Sequence, residues 1–506
     1  MLRRLVALAL AFCLVLLPAA LALADMTLEE ERKIGREAYN EVIRAMNLVE
    51  DPDCVTYIRD LGAKVASLNP DSPFKFQFFI VDRGDMNAFA IPGGYIFMFR
   101  GMMETMDTEG ELVAILGHES GHVLNRHLAK RGAKTKGVTM GTLAGMLAGV
   151  VLGVLGNAKA GQALTMGSMA GGVQAMMAYS REDEQEADYT GYQLLTKLGY
   201  PAQDMIKTFE RLYAEQRALV GEIPTYLSTH PASPDRMDSI SALARNFPRK
   251  VTPHSNTMFL LIKTRLIALY DNEQAAAIKF ERWAKDYPKS PFPVYGRALL
   301  AMRQLNFRKA LGIFTKMAEK NPDSAYIMRE RGICLLETGN MQGAQHYLNR
   351  ALHKLPENAT ALLALGNSYL QGGRLEQARD TFNRILVFHP KNNEARRQLG
   401  VAYGKMGDTP MASLHLGLAF KQDRKYKAAR YHLTRAVQTL PDGDGLKEKA
   451  KKALKEVDMA ENHKLRDKAK REQEEERRRR EEERDREEQR RRDGEKSRRD
   501  GWPLSR

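Results

Sequence analysis

Cysteine is scarce in this chain of 506 residues, which contains only Cys13, Cys54 and Cys334. Cys13 lies in an apolar segment at the start of the chain, and loss of that segment would leave two cysteines, too few for a disulfide framework. A single bridge between Cys54 and Cys334 stays open, although buried free thiols are the expected state. The chain is therefore not a small disulfide-stabilised scaffold. Its length predicts two or three domains, and 43% hydrophobic residues suffice to build their cores.

Long runs of a single charge are also rare, although the net charge is +15. Much of the charge lies near the end of the chain, where "KREQEEERRRREEERDREEQRRRDGEKSRRDG" mixes acidic and basic side chains. The region from about residue 445 lacks an apolar stripe. We therefore predict that residues 445–506 form a charged tail, helical or disordered, that buries no core. Polyanion binding by this tail is the alternative. Nucleic acid is not an expected partner, because the start of the chain resembles a secretory signal.

That signal is the opening sequence "MLRRLVALALAFCLVLLPAALALADM". Two arginines precede a long apolar run, which ends in Ala22-Leu23-Ala24. A basic start, an apolar run and a small-x-small cleavage site are typical of a secretory signal peptide, which we place at residues 1–24. An uncleaved membrane anchor is the alternative, because the apolar run is long.

Residues 25–250 are predicted to form one domain, mostly helical with a small β-sheet. An amphipathic pattern begins after Thr27, which together with Glu30 resembles a capping box. "FKFQFFIVD" is typical of a strand, and "NAFAIPGGYIFMFRG" places a Pro-Gly-Gly turn between two apolar stretches of β-formers. After Thr108 the pattern becomes helical again.

A repeat of 34 residues follows. Proline recurs at this spacing from Pro288 to Pro390, and alanine recurs from Ala276 to Ala412. This period and its small residues resemble the tetratricopeptide repeat, which predicts an α-solenoid over residues 257–443. We phase the repeats as 257–290, 291–324, 325–358, 359–392 and 393–426. A half-unit slip then starts a further repeat at 410, so that either one helix serves both frames or the last pair is an irregular cap.

The sequence "HESGH" suggests metal chemistry. On a helix, His118 and His122 lie on one face and could bind a single ion, with Glu119 beside it to take a proton from the attacking water. Zinc suits imidazole, and a catalytic zinc site has three protein ligands. The motif also arises by chance, so a third ligand is needed.

The third ligand has one excluded and one favoured candidate. His127 lies about half a turn round the helix from His118, so we exclude it. In "AYSREDEQEADYTGYQLL", Glu184 and Asp188 are four residues apart, with Arg181 on the same stripe. A carboxylate ligand followed by a carboxylate that accepts a ligand histidine's N–H is the pattern a zinc site requires.

His230, in "TYLSTHPASPDR", precedes a proline in a predicted loop. It would lie either near the metal or developing oxyanion, or on the surface as an ordinary turn histidine.

Four segments together resemble a known family: "NAFAIPGGYIFMFRG", "HESGH", "SREDEQEAD" and "STHPASPDR". They look like zinc metallopeptidases of the zincin type related to the CAAX prenyl endopeptidase. The signal peptide and repeats make the chain similar to the soluble periplasmic branch of that family, over roughly residues 27 to 440. The resemblance implies one Zn²⁺ per chain and a periplasmic location. It assigns the metal ligands to His118, His122 and Glu184, the base to Glu119, a supporting acid to Asp188, and a late histidine and arginine to His230 and Arg236, with His230 as an extra ligand or oxyanion partner.

Two further segments are candidates for binding. The stretch Asn87 to Phe99 matches the family's active-site edge strand, so Asn87, Ala88, Phe89 and Ala90 are candidate substrate-binding residues; an ordinary core strand is the alternative. Residues 137–176 are apolar, with glycine at every fourth position from Gly137 to Gly153. They are predicted to form a helical hairpin, which we favour as a soluble lid over a membrane-dipping element.

The sequence thus predicts a zinc endopeptidase of the cell envelope that cleaves misfolded or misassembled envelope and outer-membrane proteins. The repeats would bind clients or outer-membrane assembly machinery. The alternative is a chaperone or scaffold whose zinc site is latent or regulatory.

Overall fold

A computed structural model describes residues 26–134, 179–218, 225–231, 233–246, 250–443 and 445–462, together with Glu476 and Arg479. The chain divides into two compact units, one ending at Pro322 and one beginning at Asp323. The predicted signal peptide and the glycine-rich segment 137–176 lie outside the described residues. Within them, no helix combines the length and the apolar character that crossing a membrane requires.

The described elements of the first unit include three short strands and thirteen helices. The strands are β1 (Gln77–Val81), β2 (Ala88–Ile91) and β3 (Tyr95–Phe99); the helices are α1 (Leu28–Ala45), α2 (Pro52–Ser67), α3 (Arg100–Thr105), α4 (Glu109–Leu124), α5 (His127–Lys134), α6 (Arg181–Lys197), α7 (Ala202–Ala218), α8 (Thr225–Thr229), α9 (Pro234–Asn246), α10 (Thr257–Tyr270), α11 (Glu273–Asp286), α12 (Phe292–Arg303) and α13 (Phe307–Lys320). The predicted capping box is present, because the Thr27 side chain accepts a hydrogen bond from the Glu30 N–H and the Glu30 carboxylate accepts one from the Thr27 N–H.

The sheet has the order β1-β3-β2. β1 pairs with β3 in parallel, and β2 pairs with β3 antiparallel, with Phe89 opposite Phe97. Pro92, Gly93 and Gly94 form the predicted turn between β2 and β3, and both glycines have positive φ, which residues with a Cβ rarely adopt. β2 therefore lies at an edge of the sheet.

Both faces of the sheet are covered. On one face Ala90, Ile96 and Met98 share a core with Leu112 and Leu116 of α4. The other face packs its phenylalanines against α1. Since side chains alternate along a strand, burial on both faces explains why these strands are apolar throughout. α4, which carries the HESGH motif, is thus held at the centre of the domain.

The first predicted repeat is not separate from this domain. Phe259, Ile262 and Leu266 of α10 belong to the same core as α4. Arg265 of α10 is buried and pairs with Asp51 at 2.6 Å. The boundary predicted between residues 250 and 257 therefore does not coincide with the division between compact units, because the first repeat helix completes the core of the preceding domain.

The described residues of the second unit form eight helices between Ala325 and residue 462. They are α14 (Ala325–Glu337), α15 (Met341–Lys354), α16 (Ala359–Gln371), α17 (Leu375–Phe388), α18 (Asn393–Lys405), α19 (Thr409–Gln422), α20 (Tyr426–Thr439) and α21 (445–462). Cys334 in this unit and Cys54 in the first are both free and buried.

One helix explains the half-unit slip. In the repeats at 325–358 and 359–392 a glycine of the first helix contacts a residue sixteen positions later, as Gly332 does with Leu348 and Gly366 with Phe382. Gly400 contacts Leu416 of α19 in this way, and Gly417 of the same helix contacts Leu433. α19 therefore ends one repeat and begins the next, which decides between the two interpretations of the slip.

The charged tail was predicted to begin at residue 445, but the packed helices extend to residue 462. Residues 445–462 form a helix in which Leu446, Ala450, Ala453 and Val457 pack against the preceding repeat helices. These residues recur at helical spacing, but most are small and are separated by charged residues. The expectation that residues from 445 bury no core was therefore wrong for this helix.

Removing the repeats at the predicted boundary should expose the core. A fragment of residues 25–250 would lose the three buried α10 side chains, each contributing roughly 1.5–3 kcal/mol, against a typical total stability of about 5–15 kcal/mol. We expect it to unfold at a much lower temperature than residues 25–322, as measured by circular dichroism. Equal melting temperatures for the two fragments would show that α10 is dispensable.

Candidate metal centre

The HESGH motif lies on a helix that is buried almost throughout. α4 begins after Thr108, whose hydroxyl accepts a hydrogen bond from the Glu111 N–H at 3.1 Å. The motif histidines are 2% and 3% exposed, and Glu119 is fully buried. Burying such polar groups costs free energy unless they find partners, so the surroundings of each side chain decide what it can do.

Glycines bring α4 into close contact with α6. A Cβ added at Gly117 would lie 3.1 Å from the Gly191 Cα, and one added at Gly121 would lie 2.9 Å from the Ala187 carbonyl oxygen. The two backbones can approach this closely because no side chain lies between them. As a result, polar side chains one turn apart on each helix reach the same space.

Four side chains converge there: His118 and His122 from α4, Glu184 from α6, and His230. One ligand atom from each lies within 4.8 Å of all the others, and all four residues are buried. The Nε2 atoms of His118 and His122 are 3.1 Å apart. Three imidazoles and a carboxylate arranged in this way could hold a metal ion, and the donor set suits zinc.

His118 is oriented by a charged pair. Its Nδ1 lies 2.9 Å from the Asp188 Oδ1, while Arg236 donates two hydrogen bonds of 2.7 Å to the two oxygens of the same carboxylate. Arg236 also pairs with Glu184 at 2.7 Å. The Asp188 carboxylate can therefore accept a hydrogen bond from His118, which is a candidate metal ligand.

The charges of the site hold its acids ionised. Burial alone would raise the pKa of Glu184, but the histidines around it lower it well below its ordinary value. Burial likewise opposes ionisation of Asp188, whose pKa is nevertheless lowered by Arg236 and His118. The pKa of His122 falls well below its ordinary value, mainly because the ring is buried. A neutral His122 beside an ionised Glu184 is the state in which both can bind a cation.

Glu119 lies next to these groups but is held differently. Among the described residues, neither of its carboxylate oxygens has a hydrogen-bond partner, although both are buried. The Nε2 of His230 lies 3.8 Å from its Oε1, beyond hydrogen-bond distance. A buried carboxylate with free lone pairs is costly in a purely structural role and is suited to accept a proton from a bound molecule.

Two tyrosines that the sequence did not single out pack around His230. Tyr226 and Tyr179 both stack on its ring, with centroids 4.8 Å and 5.0 Å away, and Tyr179 also stacks on His122 at 3.7 Å. Tyr226 lies four residues before His230, so helical spacing could have identified it. No sequence pattern indicates that Tyr179, immediately before the α6 cap, folds over the site.

The reason for excluding His127 was wrong, although it is absent from the converging group. α4 ends at Leu124 and Arg126 has φ of 57°, so His127 begins a new helix and is not half a turn round the old one. Its Nδ1 lies 2.8 Å from the Nδ1 of His122. Arg181, by contrast, is exposed at the start of α6 and does not share the buried stripe of Glu184 and Asp188.

The edge strand lies close to these side chains. Ala90 and Ile91 of β2 line a pocket together with His122 and Tyr179. Asn87, Ala88 and Ala90 are buried, and Phe89 is half-buried.

Comparison with known proteins agrees with this arrangement. Residues 56–244 match the model of peptidase family M48, and residues 295–344 and 335–402 match tetratricopeptide repeat models. The chain therefore carries a family M48 peptidase domain followed by tetratricopeptide repeats. The family resemblance and the mainly helical fold class expected from the sequence are confirmed.

Curated relatives carry protease names. The chain is 31% identical over 302 residues to the putative beta-barrel assembly-enhancing protease of Vibrio cholerae, covering 58% of this chain and 61% of that protein. The beta-barrel assembly-enhancing protease of Escherichia coli is 29% identical, covering 57% and 59%. The mitochondrial metalloendopeptidase OMA1 of Schizosaccharomyces pombe is 26% identical, covering 43% and 61%. The matches thus span about three fifths of the length of each relative.

The close contact of α4 and α6 can be tested with a single methyl group. In Gly121→Ala the new Cβ meets the backbone of Ala187, so we expect a loss of about 1–3 kcal/mol from overpacking together with weaker metal binding. Gly312→Ala in α13 is the matched control, because nothing lies within 4 Å of its added Cβ; it should stabilise the chain by roughly 0.5–1 kcal/mol. Thermal melts and zinc titration compare the two, and similar results for both variants would contradict the role of the contact.

Proposed function

We propose that the chain is a zinc endopeptidase, with His118, His122 and Glu184 as ligands and Glu119 as general base. The observation that carries this proposal is the buried Glu119 carboxylate, which lacks a hydrogen-bond partner among the described residues and lies beside four converging side chains. The family M48 match and the names of the relatives support it.

The residues would divide the reaction between them. Zinc, when bound, polarises a carbonyl and makes a water molecule more acidic. Glu119 would accept the proton of the attacking water and return it to the leaving amine, because no donor in the described part of the chain occupies its carboxylate oxygens. Asp188, held by Arg236, would keep the His118 ring in the orientation and tautomer that leave Nε2 free for the ion.

His230 would act as a fourth ligand that keeps the site closed. Its Nδ1 lies 2.8 Å from the Glu184 Oε1 and 3.3 Å from the His118 Nε2, and the tyrosines hold its ring in place. Structural zinc sites are closed by four protein ligands, whereas catalytic sites keep one position open. In this arrangement the enzyme would be latent until His230 moves, whereupon it could serve as an oxyanion partner.

A substrate would bind as an added strand. β2 lies at the edge of the sheet and lines one pocket with His122, so residues 87–90 could pair with an extended chain through backbone hydrogen bonds. Such pairing selects for unfolded segments more than for a particular sequence. This mode of binding favours misfolded or unassembled proteins as substrates.

The proposed cellular role rests on the predicted signal peptide, the repeats and the names of the relatives. The predicted signal peptide supports a periplasmic location, and the repeats offer a surface for protein partners. Two relatives are named for enhancing beta-barrel assembly. We therefore infer quality control of outer-membrane proteins, with clients or their assembly machinery bound by the repeats.

The first test of activity replaces the proposed base. Glu119→Gln should keep zinc and the fold but lower cleavage of a labelled unfolded protein by about 10²–10⁴-fold, since a general base is lost. Chelation of the native chain should abolish cleavage, and added zinc should restore it. If the native chain holds zinc but does not cleave, while both it and Glu119→Gln prevent aggregation of a client, the chain is a chaperone or scaffold with a latent site.

A second test removes the fourth ligand. His230→Ala should speed cleavage of the same unfolded protein, because a coordination position opens, and should weaken zinc binding. His254→Ala is the control, since His254 stacks on Tyr200 away from the converging group. Slower cleavage by His230→Ala at saturating zinc would instead mean that His230 serves the reaction and does not block it.

A further inference from the structure

His127 is a buried histidine that the proposed reaction does not use. Its side chain is fully buried where α5 begins, just beyond the turn at Arg126 that ends the motif helix. Such a residue can be an ordinary core histidine, but then its two ring nitrogens would have structural partners only. One of them instead contacts a residue of the metal centre.

The contacts of His127 form a chain leading away from that centre. The Nδ1 atoms of His122 and His127 lie 2.8 Å apart, and the Nε2 of His127 lies 3.0 Å from an oxygen of Glu186. Asp183 is farther from the same nitrogen, at 3.8 Å, and is engaged by Arg131 at 2.6 Å. Glu186 is half exposed, so the chain runs from a buried ligand to the solvent boundary.

These contacts determine which nitrogens carry protons. The Nε2 of His122 faces His118 and Glu184, so this is the atom that would bind the ion and it must be free of a proton. The proton of the neutral ring then lies on Nδ1 and is donated to His127 Nδ1. His127 must accept at Nδ1, so that its own proton lies on Nε2 and is donated to Glu186.

We infer that His127 is a positioning residue for the metal site, fixing the tautomer and ring orientation of His122, and that Glu186 in turn fixes the tautomer of His127. The two motif histidines would thus be oriented by different residues. His118 would be oriented by the Asp188 carboxylate, which pairs with Arg236. His122 would be oriented by the His127 imidazole, which contacts Glu186. Outer partners of ligand histidines typically contribute about 10–100-fold in metal affinity. This inference rests on the proposed zinc site but not on its proteolytic activity.

The test measures zinc affinity by chelator competition in the purified full-length mature chain. His127→Leu keeps an apolar side chain of similar size but removes the acceptor, and should weaken zinc binding about 10–100-fold. His127→Asn places an amide oxygen near the former Nδ1 and should restore most of the affinity. Glu186→Ala should cause a smaller loss, while Glu182→Ala, which removes an exposed acid from the same helix, should cause none.

The outcomes separate the inference from the proposed function. Equal zinc affinity for His127→Leu and the native chain would overturn the inference while leaving the protease proposal intact. Equal losses for the Leu and Asn variants would also overturn it, since a packing role needs no acceptor. Melting temperatures of the metal-free variants show whether folding alone accounts for a loss. The expected order of affinities in a chain that fails to cleave would support the inference and count against the protease.

Discussion

The metal centre depends on two helices whose backbones touch. Gly117 and Gly121 on α4 meet Gly191 and Ala187 on α6, so no side chain separates the helix that carries the histidines from the helix that carries the carboxylates. Each helix then needs only its own one-turn spacing to present two polar groups to the shared space. A larger residue at these contacts would push the two helices apart and shift the side chains of both.

Close packing also creates the chemical problem that the surrounding residues solve. Histidines and carboxylates at 2% to 4% exposure have lost their water and must be stabilised by protein partners. Arg236 forms ion pairs with two carboxylates, Asp188 is hydrogen-bonded to His118, and His127 contacts His122. Glu119 is the exception, because its oxygens lack hydrogen-bond partners among the described residues. Buried polar groups without hydrogen-bond partners are concentrated at functional sites of native proteins. Glu119 is such a group, and the motif suggests it as the base.

The pairing of candidate ligands on each helix could be predicted from the sequence because its geometry is local. His118 with His122, and Glu184 with Asp188, each follow from the period of a helix, and the Pro-Gly-Gly turn follows from residues that tolerate positive φ. His127 and Tyr179 could not be found in this way. The first depends on the helix ending at Leu124, and the second on the fold of the chain just before a cap. Contacts that depend on where a helix ends do not follow the helical period, so residue spacing cannot predict them.

The predicted start of the repeats and the predicted start of the charged tail show a different limit of prediction from sequence. The 34-residue period predicts that the repeats begin at residue 257, yet α10 packs into the preceding core. Periodicity describes a helix pair and not what its outer face touches. At the other end, the stripe of Leu446, Ala450, Ala453 and Val457 was hidden by the charges around it. Alanine is a weak signal of burial but fits where two helices pack closely.

The fusion of α10 with the peptidase core has a mechanical consequence. Arg265 pairs with Asp51 and Asp53, and Arg100 just after β3 is paired with Asp271 and Glu104. Both arginines, Asp53 and Asp271 are buried, and the other two acids are half-buried. Separating one partner would leave an uncompensated buried charge, at a cost of about 3–5 kcal/mol. The first repeat therefore cannot rotate freely on a linker. A protein bound there would be held at a fixed place relative to β3 and, through β3, to the edge strand proposed to receive the substrate.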